Sequence, residues 1–120
     1  MTPFLAILRR AVEATPNAIG GAFAAGDGEM VDSFAKIDPH DWAVITAHYG
    51  IVLSLLNSCF GTWHFGFPEY FIAQHNRLEV VVHAVDAGYY ALMAFQEPAN
   101  LGFALHQLRV AAGELRKEMA

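Results

Sequence analysis

One cysteine, Cys59, occurs in 120 residues, which excludes an intrachain disulfide and suits a reducing cytoplasm better than a secretory route. Charge is equally sparse. Asp, Glu, Lys and Arg make up 16% of the chain, with seven basic against twelve acidic side chains and a formal net charge of −5. So few Lys and Arg leave no counterion-releasing surface of the kind that nonspecific nucleic-acid binding needs, and nucleic acid is not expected as a partner. The first apolar run, Phe4 to Leu8, precedes Arg9 and Arg10. That order is the reverse of a signal peptide's, so an unprocessed chain is expected.

Chemical motifs are missing too. There is no Walker sequence and no Gly-Xaa-Gly-Xaa-Xaa-Gly, and Gly26-Asp27-Gly28 suits a hairpin turn better than a phosphate cradle. Ser33, Ser54 and Ser58 lie outside any Gly-Xaa-Ser-Xaa-Gly elbow. The six histidines do not converge either. His40 and His48 would stand about 12 Å apart along one helix, too far to share a zinc. Cys59 and His64 have no third ligand in fixed register, and His83 should face Tyr70 across a hairpin rather than His75. No catalytic residue, cofactor or metal site is expected, and the histidines read as surface and mixed-core side chains.

What is present is apolar. Hydrophobic residues make up 55% of the chain, enough for one domain over residues 1–120 with a core of its own, and disorder is excluded as the main state. From Trp42 to Pro68 there is no Asp, Glu, Lys or Arg, and Ala43 to Phe60 alone reaches the length that flags a transmembrane candidate. Thr46, His48, Ser54 and Asn57 interrupt that stretch, and no basic cluster flanks it. A soluble protein's helix, buried on most sides, is the better account, and no membrane insertion is expected.

Start signals and periodicity order the elements. Thr2-Pro3 opens a helix over residues 3–14, which Pro16 ends. Residues 18–25 and 30–35 form a hairpin about Gly26-Asp27-Gly28; Gly20 and Gly21 within its first strand suggest another element packed close against the backbone. Asp38-Pro39-His40-Asp41 repeats the start signal for a helix over 39–59. Residues 69–74, 79–85 and 89–95 form a meander, apolar on both alternations and so covered on both faces. Pro98 and Asn100 introduce a last helix that runs to about 118, with Arg116 and Lys117 suiting the end of its dipole. The fold class is α+β in the order α-β-β-α-β-β-β-α, a five-stranded antiparallel sheet with helices on both faces.

The second helix carries three stripes. Trp42, Ile45, Tyr49, Val52, Leu56 and Cys59 make one, Val44, Ile51 and Leu55 a second, and Ala43, Ala47, Gly50 and Ser54 a third of small side chains only. The small stripe would admit another backbone at close range. It packs either on the chain's own sheet or on a partner; because one sheet covers about half of a helix, something outside the fold is expected over the remainder. Trp63, His64 and Phe65 form an aromatic cluster in a Gly-bounded loop, which either caps the sheet or contacts a partner. Arg77 stands at a hairpin tip.

In these features the chain resembles the roadblock family of dynein-light-chain-like proteins, related in fold to longin and profilin domains. The matching residues are Ala14-Thr15-Pro16-Asn17-Ala18-Ile19-Gly20-Gly21-Ala22, the Asp27-Gly28 turn, Gly88-Tyr89-Tyr90-Ala91-Leu92 and Pro98-Ala99-Asn100-Leu101-Gly102, in order over residues 3–118. Ala25-Gly26 replaces the acidic residue usual before the turn, and Cys59 to Phe67 is more aromatic than the family pattern.

The resemblance implies a non-enzymatic protein that forms homodimers or heterodimers by packing second helix on second helix and sheet edge on sheet edge; the cytoplasm remains the compartment expected from its single cysteine. The resemblance also implies a small Ras-like GTPase as partner in bacterial polarity and motility, or scaffolding in eukaryotic complexes. On this view Trp42, Ala43, Ala47, Gly50 and Ser54 form the dimer interface, and Trp63, His64, Phe65 and Arg77 are candidate partner contacts. The other reading is a small-molecule-binding or sensory α/β/α sandwich, suggested by the apolar, histidine-bearing middle of the chain.

Overall fold

Each helix begins where a short polar side chain meets the unpaired amides of a first turn. In the computed structural model, which describes residues 2–61, 64, 66–86, 88–98 and 100–120, Thr2 Oγ1 accepts from the Leu5 amide at 3.0 Å. Asp38 Oδ1 accepts from His40 at 2.8 Å and Asp41 at 3.3 Å, and Asn100 Oδ1 accepts from Phe103 at 3.0 Å. Such caps contribute about 1 kcal/mol each. They open α1 (Pro3–Ala14), α2 (Pro39–Phe60) and α3 (Leu101–Met119).

Between the helices lie β1 (Ala18–Ala25), β2 (Met30–Ala35), β3 (Tyr70–Gln74), β4 (Glu79–Asp86) and β5 (Tyr89–Phe95). They form one sheet in the order β2-β1-β5-β4-β3 with every neighbouring pair antiparallel. The three central strands are buried almost throughout, whereas β2 and β3 alternate between partly buried and exposed residues, as edge strands do. The expected order and fold class hold, with ends shifted by a residue or so; the last helix starts at Leu101, behind its Asn100 cap.

The sheet separates two cores. On one face Leu8, Val12, Phe23, Val81, Met93, Leu108 and Leu115 join α1 and α3 to the strands. On the other, α2 lies alone over Val80, Val82, Leu92 and Ala94, with Trp42 and Leu53 as its anchors. The adjacent glycines of β1 serve both sides. A Cβ on Gly20 would stand 2.8 Å from the Trp42 ring, and one on Gly21 would stand 3.0 Å from Val12 Cγ2. The close approach expected at these glycines is made by an indole on one face and a helix on the other.

Burial of α2 on most sides is not what the fold provides. Its buried residues are Trp42, Thr46, Tyr49, Gly50 and Leu53, and the described residues cover the helix on one side only. By length and composition the helix could cross a membrane.

Candidate functional site

Successive residues of an α-helix turn by about 100°, so the position of each α2 side chain follows from its number. The buried line through Trp42, Thr46, Tyr49, Gly50 and Leu53 runs between the first and third stripes, taking members of both. Val44, Ile51 and Leu55 then fall on the opposite side, and they are 43%, 61% and 60% exposed. His48 is exposed beside them. A helix whose outward ridge is aliphatic presents contiguous apolar surface, which in soluble proteins marks an interaction site.

The five residues expected at a dimer interface are divided by this geometry. Trp42 is 4% exposed, its ring laid over Gly20, and its Nε1 has no hydrogen-bond partner among the described residues. Gly50 is buried where the helix backbone meets the turn between β1 and β2; a Cβ there would lie 2.9 Å from the Gly28 carbonyl oxygen. Both are therefore occupied inside the chain. Ala43 and Ala47 are exposed and Ser54 is half-buried. Ala43 lines a groove of about 290 Å³ beside β2, while Ala47 and Ser54 line one of about 320 Å³ beside the β1–β2 turn. Thr46 and Leu53, which sequence reasoning passed over, lie at the centre of the buried face; their bearing midway between two stripes was the available signal.

On its other flank α2 borders the turn between β3 and β4. Val44, Ile45, His48 and Tyr49 face residues 75–78 across an open cleft of about 480 Å³. The cleft is tied at one point: Tyr49 Oη and His75 Nε2 are 2.7 Å apart, and the two rings meet edge to face. Burial pushes the Tyr49 and Tyr90 phenols above their ordinary range. Arg77 is exposed on this turn, and no ion-pair or hydrogen-bond partner holds it among the described residues. His64 is exposed, and Trp63 and Phe65 lie outside the described residues.

Other polar side chains are engaged within the fold. Tyr70 stacks on His83 with ring centroids 6.2 Å apart, as the hairpin register predicts. Arg109 lies over the Tyr70 ring and donates to His83 Nε2 at 3.4 Å. Arg116 donates to the Val85 carbonyl at 2.6 Å, and Arg9 and Arg10 pair with Glu13 and Glu114. Among the described residues no three His, Cys, Asp or Glu side chains are grouped to hold a metal ion.

This arrangement, an antiparallel five-stranded sheet with one long helix on one face and the first and last helices together on the other, superposes on solved roadblock domains. A Roadblock/LC7 domain from Streptomyces avermitilis superposes with a TM-score of 0.79 at 13% identity over 94% of each chain. The chain has a roadblock fold. MglB from Myxococcus xanthus has a TM-score of 0.83 at 13% identity, covering 99% of this chain and 96% of its own; an MglB has also been solved in a tetrameric arrangement. MglC from the same organism matches with a TM-score of 0.73 at 22% identity over 98% of this chain and 99% of that one. No family model and no curated protein matches the sequence. Identities this low show a shared roadblock fold and nothing finer.

Proposed function

We propose that this roadblock domain is a non-enzymatic, cytoplasmic regulator or scaffold that forms a homodimer and binds a small Ras-like GTPase. The observation that carries the reading is the outward ridge of Val44, Ile51 and Leu55 on a helix that its own sheet covers on one side only. A second copy laid along that ridge would remove it from water, with Ala43, Ala47 and Ser54 as the low flank over which the helices approach. The open edge of β3, with Tyr70 and Ile72 exposed, offers strand pairing beside it.

The GTPase enters through the fold. Solved MglB and MglC share the architecture, and the roadblock resemblance implies partners of that class. Docking of the dimer would position the GTPase's own switch and catalytic residues and shift its population of states. An arginine supplied in trans is not part of the proposal: four of the five arginines are engaged with groups of their own chain.

The test is binding to a small Ras-like GTPase charged with GDP or with a nonhydrolysable GTP analogue. Preference for the GTP state is expected. Equal binding to both states, or none, overturns the GTPase reading.

A further inference from the structure

The cleft between α2 and the β3–β4 turn combines apolar walls with basic side chains. Its walls are aliphatic, from Val44, Ile45 and Leu78, and its side chains capable of positive charge are His48, His75 and Arg77. No carboxylate lines it, although acidic residues outnumber basic ones twelve to seven. The acids nearest to it in sequence, Asp41 and Glu79, are not among its lining residues. Glu79, which follows the turn, is buried and accepts from Gln74 Nε2 at 3.0 Å. Asp41 shares the side of α2 that carries Ile45 and His48, but lies two turns before His48, roughly 10 Å along the helix axis, at the end of the cleft away from that histidine.

Two further features make the cleft ready for an anion. The Tyr49–His75 hydrogen bond of 2.7 Å ties the turn to the helix, so the turn that carries Arg77 is placed beside the apolar wall before anything binds. Arg77, the arginine without a partner among the described residues, has its guanidinium free for a bidentate contact with a carboxylate. A pocket near 480 Å³ accommodates a few side chains rather than a folded domain.

We infer that this cleft docks an acidic segment of a protein partner, one that places an aliphatic side chain against Ile45 and Leu78, beside the ridge that the second copy covers, and a carboxylate on Arg77. The inference rests on the reading of the chain as a partner-binding domain and names the chemistry of one contact. Aspartate or glutamate next to leucine or isoleucine satisfies both halves of the cleft. A neutral segment leaves the guanidinium unanswered, and a basic one is repelled.

The experiment is an amide-shift titration of the ¹⁵N-labelled full chain with acetyl-Glu-Leu-Glu-Leu-amide, and with the same peptide carrying Gln for Glu. Saturable shifts confined to residues 44–49 and 75–78 are expected with the acidic peptide. Arg77→Glu removes an attraction and adds a repulsion, so the acidic peptide should bind it about tenfold more weakly, as the Gln peptide should bind the wild type. Arg77 is exposed on a turn, and its replacement leaves both cores untouched.

Leu55→Asp, on the ridge but outside the cleft, should keep the peptide response even where light scattering finds it monomeric. That result separates the cleft from the dimer. Equal binding of the two peptides, shifts centred elsewhere, or no shifts at all would overturn the inference. So would dissociation of the dimer by Arg77→Glu, which would assign the cleft to a second copy.

Discussion

Gly50 and Gly28 bring the backbone of α2 into contact with the turn between β1 and β2. A Cβ on Gly50 would lie 2.9 Å from the Gly28 carbonyl oxygen, and a Cβ on Gly28 would lie 2.4 Å from that of Gly50, at a φ of +93° that L side chains rarely adopt. This contact sets how deeply the helix seats on its sheet, and hence which of its stripes is left outside.

Alanine at these positions separates steric from intrinsic effects. In an open helix Gly→Ala stabilises by about 1 kcal/mol, whereas overpacking costs about 1–3 kcal/mol. Gly50→Ala should therefore lose stability on balance, and Gly28→Ala should lose more because strain adds to the clash. Gly113 in α3 meets nothing within 4 Å, so Gly113→Ala should gain about 0.5–1 kcal/mol. Urea midpoints in one buffer test all three, and a more stable Gly50→Ala would contradict the close contact.

Alkaline pH probes the same face through its phenols. Tyr49 and Tyr90 are held protonated by burial, with pKa values raised above 10.0. The folded state thus retains protons that the unfolded chain releases. Their contribution is complete below about pH 10 and is lost as pH rises through the folded values. Unfolding free energy should be flat with respect to these groups from pH 7 to 9 and fall above 10. Tyr90→Phe should lessen that fall; an unchanged slope would contradict it.

Legibility in the sequence followed the range of the interaction. The three helix caps, the Tyr70–His83 pairing and the close approach at Gly20 all follow from residues near one another in sequence, or from strand register. The buried side of α2 does not. Apolar residues circle that helix almost completely, so their periodicity cancels and no bearing stands out as inward. Trp42 and Gly50, candidates for an outer interface by their stripes, are taken inside because Gly20 and Gly28 leave room for them. The Tyr49–His75 tie spans 26 positions and depends on where the helix crosses the sheet. Neither residue advertises it.

Hydrolysis kinetics test the absence of an arginine finger. Where one is used it contributes about 10³–10⁵ in rate. Arg77 is the residue placed to act so, and Arg77→Ala should change single-turnover GTP hydrolysis by the partner less than about tenfold at saturating dimer, the scale of a lost surface contact. A thousandfold loss would make Arg77 a catalytic residue acting in trans.

The proposed self-association rests on the exposed ridge, and light scattering at micromolar concentration tests it most directly. The wild-type protein should have twice its chain mass of 13.1 kDa, and Ile51→Asp and Leu55→Asp should shift it toward the single-chain mass with their helical signal retained, because neither side chain enters a core. A wild-type mass of 13.1 kDa would contradict the account, leaving the ridge to a different partner.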